Sequence, residues 1–146
     1  MLFRSKSDGT LLSWGFNGYG QLGDGTTTDR RTPIAVSSAS GVVAIAAGDY
    51  HSLALKSDGT LLGWGDNDKG QLGDGTTTLQ RTTPGAVLNA SNIVGIATGI
   101  HSLALKSDGT LLSWGLNNFG QLGDGTATSR STPVSVLLGS LTIRLP

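Results

Sequence analysis

The 146-residue sequence has no cysteine, which excludes disulfides, thiolate metal sites and a cysteine nucleophile. It has no glutamate either, for all ten acidic residues are aspartate. The short aspartate carboxylate bonds nearby backbone amides and favours turns, so a chain without glutamate is poorly suited to exposed helices. Charge excess is missing as well. Ten basic residues balance ten acidic ones, so no long-range field draws the chain to nucleic acid or to an anionic membrane, and neither is expected as a partner. No segment approaches 18 uninterrupted apolar residues, and the opening MLFRSKSDGT has no secretion-type apolar run. The expectation is a soluble chain whose compartment is open. What is abundant is glycine, 23 residues, with 37% hydrophobic content, a mixture that suits a turn-dense all-β domain long enough to bury a core.

The strongest positive signal is self-similarity. KSDGTLL occurs at 6–12, 56–62 and 106–112, and GQLGDGT at 20–26, 70–76 and 120–126, a spacing of 50 residues each time. Trp14, Trp64 and Trp114 share a register, as do Asn17, Asn67 and Asn117. A period of about 50 belongs to propeller blades and solenoid units, each too small to bury its apolar face alone.

Within one copy the pattern is β throughout. VVAIAAG (42–48) is a short apolar run, and HSLALKS (51–57) alternates, with Leu53 and Leu55 on one face. SDGT then carries the Asp-Gly hairpin signal, because glycine accepts a positive φ at no steric cost. LLGWG (61–65) is the return strand. The polar segment 66–83 leads to PGAVL (84–88), a strand that opens on proline and so suits a sheet edge. Four short antiparallel strands per period is the content of a propeller blade.

The string GxxHSLALKSDGTLLxWGxNxxGQLGDGT…TP resembles the repeat of the regulator of chromosome condensation (RCC1) family, over about 140 of the 146 residues. The sameness of the copies resembles bacterial members of this class. The resemblance implies a partial β-propeller of about three four-stranded antiparallel blades in a single array. Residues 1–41 form an incomplete first blade, 42–91 the second and 92–140 the third, with 141–146 as an orphan strand. The first copy departs from the pattern: Met1 to Ser5 stand where His51 to Leu55 stand in the second, and no VVAIAAG-like strand precedes them. Leu141, Ile143 and Leu145 alternate with Thr142 and Arg144, so this tail is a candidate first strand for a partner's blade. Three blades cannot close a ring, and open ends invite association. Two explanations stay open, a piece of a longer propeller or a homo-oligomer joined through open blade edges.

Each motif with chemical potential has a structural explanation beside it. Gly18, Gly20 and Gly23 spell G-x-G-x-x-G, but a dinucleotide site needs a helix directly after the glycines, and here a turn-rich segment follows. Only Gly20, Gly70 and Gly120 and their companions recur, as a once-per-blade turn. His51-Ser52 and His101-Ser102 suggest a hydrolase, yet they recur with the repeat and are expected to bond a neighbouring blade. Asp24, Asp74 and Asp124 are hard-cation ligands by type, but an EF-hand loop needs a glutamate that the chain lacks, and these aspartates are expected to bond the amides of the following Gly and Thr as Asx-turns. Trp14, Trp64 and Trp114 are expected to pack between blades rather than form a stacking platform. Asn89-Ala90-Ser91 is a formal glycosylation sequon with no secretion signal to support it. No catalytic, metal or cofactor site is expected.

Partner recognition is read from the positions that vary while the scaffold repeats. These are Phe16, Asp66 and Leu116, then Tyr19, Lys69 and Phe119, and then Asp29-Arg30, Leu79-Gln80 and Ser129-Arg130, all in the loop after the tryptophan strand, and the first two sets are the candidate partner-binding residues. The expected function is a non-enzymatic protein-interaction scaffold. The alternatives are guanine-nucleotide exchange on a small GTPase, which the resemblance implies through the family's eukaryotic founder, and inhibitor-like binding of another enzyme. No exchange residue maps onto this chain.

Overall fold

A computed structural model of the protein describes residues 2–5 and 10–139. The proposed tail strand at 141–145, like Met1, lies outside the described residues. Every described regular element is a strand, and they fall into three antiparallel sheets. The first holds β1 (Leu2–Ser5), β2 (Leu11–Gly15) and β3 (Arg30–Ala35) in that order. The second runs β4 (Val42–Ala47), β5 (His51–Lys56), β6 (Leu61–Asp66) and β7 (Gln80–Ala86). The third repeats it with β8 (Ile93–Thr98), β9 (His101–Lys106), β10 (Leu111–Gly115) and β11 (Arg130–Ser135).

The registers repeat with the sequence: Leu2, Ser52 and Ser102 stand opposite Trp14, Trp64 and Trp114. The second and third SDGT hairpins close as expected, with Gly59 at φ +78° and Gly109 at +85°, their amides donating to the Lys56 and Lys106 carbonyls at 2.9 and 3.0 Å; the first hairpin lies outside the described residues. One boundary differs. The outer strand expected to open at Pro84 begins at Gln80, because the pairing with β6 shifts register between Gly63 and Gly65. That irregularity and the free edge beyond it let a proline without an N–H sit inside the strand.

The core lies between sheets. Phe3, Leu11 and Val36 of the first meet Val42, Ala54 and Trp64 of the second. Leu53, Leu55, Leu61 and Val87 of the second meet Ile93, Ala104, Leu112 and Trp114 of the third. Each sheet thus shows a Leu-rich face forward and a Trp-bearing face back, which is the stacking of propeller blades. The protein is a partial all-β propeller.

Candidate functional site

The loop after each tryptophan strand is built around one buried asparagine. Asn67 Nδ2 donates to Asp74 Oδ1 (3.2 Å) and to Thr76 Oγ1 (3.0 Å), while its Oδ1 accepts the Leu72 amide (3.0 Å). Asn17 and Asn117 do the same in their copies. The aspartates act as turn anchors: Asp24, Asp74 and Asp124 each accept the amide and hydroxyl of the threonine two residues on. The intervening glycine amide, expected on the same carboxylate, instead crosses to the next blade, Gly25 to the Thr82 carbonyl (3.0 Å) and Gly75 to that of Ser131 (2.9 Å). Thr126 and Arg130 hold the Asp124 carboxyl down to about 2. Burial works to raise Asp24 and Asp74, but bonds from their threonines outweigh it and both lie below the usual range.

Blades join at one backbone carbonyl. Gln21 O accepts both Trp64 Nε1 (2.8 Å) and Ser52 Oγ (2.9 Å), and Gln71 O accepts both Trp114 Nε1 (2.9 Å) and Ser102 Oγ (2.8 Å). His51 Nε2 lies 2.8 Å from Ser102 Oγ, whose only proton is committed to Gln71, so the ring is the Nε2–H tautomer and donates. Burial first, then the charge of His101, push the His51 pKa down to about 4, and the ring is neutral at pH 7. A hydrolase arrangement would need that serine free to attack, and here its hydroxyl is committed and fully buried. Gly20 and Gly70 are buried in the same junctions, where an added Cβ would meet the backbone of Thr82 and Ser131.

Variable side chains emerge on the face opposite the hairpins. Phe16 and Tyr19 meet edge-on with centroids 6.2 Å apart, and Tyr19 leans on Tyr50 at 4.8 Å. Tyr50 in turn borders a groove of about 190 Å³ that includes Asp49, Asp66, Lys69, Ile100 and Leu116. Burial raises the Asp66 pKa, and its carboxylate accepts Gln71 Nε2 at 2.8 Å. Lys69 is neutralised in part by Asp68 at 2.8 Å. The groove mixes half-buried apolar walls with charge, has no nucleophile poised beside a free base, and suits recognition of a side chain or peptide segment.

A model of the regulator of chromosome condensation (RCC1) repeat matches residues 8–55, 58–105 and 108–142, and a second of the same description matches 42–71. The chain belongs to the RCC1 repeat family. Among solved structures, Prp20p of Saccharomyces cerevisiae, which binds Gsp1p and histones, is similar with a TM-score of 0.79 and 25% identity over 92% of this chain. Yeast RCC1 (Prp20) bound to Kap60 gives 0.80 and 26% over 92%, and human WBSCR16 gives 0.78 and 24% over 91%. The chain spans about a third of the length of these proteins, 35%, 34% and 34% respectively.

On this RCC1 frame the six variable positions separate. Asp66, Lys69 and Leu116 line one groove, and Phe16 and Tyr19 reach it through Tyr50. Phe119 is 90% exposed and stands apart from them. Tyr50 and Ile100 were missed by sequence reasoning, although the column before the histidine does vary between copies. Trp64 and Trp114 are fully buried between RCC1 blades, whereas Trp14 is only half-buried. Among the described residues no group of acidic and histidine side chains gathers as a metal site.

Proposed function

We propose that this chain is a non-enzymatic protein-interaction scaffold whose RCC1 blades present the groove face to a protein partner. The observation that carries the reading is the convergence of variable residues from different blades, Tyr19, Tyr50, Asp66, Lys69, Ile100 and Leu116, on one surface held by an invariant frame. Aromatic and aliphatic anchors at the centre of a rigid surface supply most of the energy in protein contacts. The neighbours support it, since Prp20p binds Gsp1p and histones and yeast RCC1 is seen bound to Kap60.

The reading is tested by paired titrations of a purified partner, with the chain and with its Tyr50→Ser/Leu116→Ser variant. Loss of roughly two orders of magnitude in affinity, with the fold retained, is the expected result. Guanine-nucleotide exchange is a second reading, favoured by the likeness to a Gsp1p-binding protein. Release of a fluorescent guanine nucleotide from a small GTPase, accelerated by catalytic amounts of the chain, would replace the scaffold reading with exchange.

A further inference from the structure

The groove between the second and third blades is open because one pair of repeat positions is filled differently at the two junctions. Between the first and second blades Tyr19 and Tyr50 meet, with ring centroids 4.8 Å apart. Their counterparts between the second and third are Lys69 and Ile100. Ile100 is smaller than a tyrosine, and Lys69 is bonded back to Asp68 at 2.8 Å, which leaves the groove of about 190 Å³. That volume is below the range of pockets that enclose whole ligands and suits one long side chain. The polar atoms left free there are chiefly acceptors. His51 is 1% exposed and lines the groove. Its Nε2 carries the proton and serves Ser102, so Nδ1 is the polar atom the ring offers, it can only accept, and it has no partner among the described residues. Asp49 is exposed at the rim, its carboxylate without a bond or ion pair among the described residues. Asp66 gives one oxygen to Gln71 Nε2 at 2.8 Å, while the other takes only a long bond of 3.4 Å from the Asp68 amide. Burial raises the Asp66 pKa, so this carboxylate gains from a cation placed beside it. These groups do not gather as a metal site.

We propose that this groove takes an arginine side chain of the protein partner, its guanidinium donating to Asp49, Asp66 and His51 Nδ1 beside the Tyr50 ring. Charge and hydrogen-bond complementarity carry the choice of occupant. The groove has spare carboxylate and imidazole acceptors, and the one cation that lines it, Lys69, is engaged by Asp68. Arginine suits it better than lysine, because a planar fork of five donors serves several acceptors at once and stacks on an aromatic ring. Its aliphatic stem finds apolar wall at Ile100 and Leu116. The inference rests on the reading of the groove face as the partner surface and adds the chemistry of what enters it.

The test is a titration of the isotope-labelled chain with N-acetyl-arginine amide, followed through amide and imidazole nitrogen NMR shifts. Saturable binding is expected at roughly 1–10 mM, the range open to a single side chain, with shifts at Tyr50, Asp66, Ile100 and Leu116 and at His51 Nδ1. N-acetyl-citrulline amide keeps the shape without the charge and should bind at least about tenfold more weakly. N-acetyl-leucine amide should leave His51 Nδ1 unmoved. Asp49→Asn and Asp66→Asn should each weaken arginine binding about fivefold or more, and the exposed Asp49 position serves if the Asp66 variant does not fold. Asp58→Asn, which removes the same charge from a hairpin outside the groove, should leave it unchanged. Citrulline or leucine binding as tightly as arginine overturns the proposal. So do a still His51 Nδ1 and arginine shifts that spread over the other aspartates without saturating. The two readings fail separately. If the arginine probe does not bind but the Tyr50→Ser/Leu116→Ser variant loses its protein partner, this inference falls and the scaffold reading stands. If the probe binds as expected and that variant keeps its partner, the groove is an arginine site but is not the partner surface.

Discussion

At the scale of single residues, His51 ties the structure to pH. Its pKa is about 4 in the folded protein against an ordinary 6.5, because burial and the charge of His101 disfavour the protonated ring. The unfolded chain therefore takes up a proton between pH 6.5 and 4 that the folded chain refuses, so stability is complete above pH 6.5 and falls through that window. The loss should reach roughly 3 kcal/mol near pH 4, read as a falling urea midpoint. His51→Gln should remove most of the slope, leaving the contribution of His101, whose pKa burial also lowers. Asp66 works in the opposite direction, since burial raises its pKa, and blunts the acid limb of the curve. A second residue-scale expectation concerns Gly73, at φ +67° with Trp114 Nε1 2.7 Å from the place of a Cβ. Gly73→Ala should cost about 2–4 kcal/mol by combining left-handed strain with overpacking of the junction. Gly99→Ala, with nothing within 4 Å, should stay within about 0.5 kcal/mol in the same denaturation series.

At the scale of elements, the loop after each tryptophan strand depends on its asparagine more than on its aspartate. Asn67→Ala leaves the Leu72 amide buried without its acceptor and removes the tie to Asp74 and Thr76. A loss of about 2–3 kcal/mol is expected in thermal or urea unfolding. The aspartate oxygens in these loops are already engaged by threonine and asparagine, with arginine bonded to Asp24 and Asp124 and Arg81 at 3.6 Å from Asp74. Excess chelator should therefore leave the melting temperature unchanged, and a drop of several degrees would reveal a cation the loops hold. The strands and hairpins were legible in the sequence because period-2 alternation and Asp-Gly turns act locally. The outer strand was read short, from Pro84 instead of Gln80, because the register shift that accommodates proline is a property of its pairing with β6. The carbonyls of Gln21 and Gln71 were invisible for a different reason. A backbone oxygen carries no side-chain signature, so the repeat marked the loop as important without showing which atom the next blade would seek.

For the whole molecule, the 50-residue period, the four short strands in each copy and the resemblance to the RCC1 repeat together led to a blade architecture, and the RCC1 match and the structural neighbours agree with it. The groove face was only partly legible. Variation between copies singled out Phe16, Tyr19, Asp66, Lys69, Leu116 and Phe119, but nothing in one dimension could say that Phe119 would stand apart. Nor could it show that Tyr50, from the far side of the hairpin, would join Tyr19 to the groove. Those associations come from stacking successive blades. The frame keeps its residues because each blade must fit the next, while under the proposed function the groove face is free to change with the partner. Photo-crosslinking tests that division most directly: a benzophenone side chain replaces Tyr50 on the groove face or Val43, 63% exposed, at the hairpin end. The expected result is a defined, stoichiometric protein adduct at position 50 and none at position 43; adducts at 43 alone would contradict the assignment of the binding face.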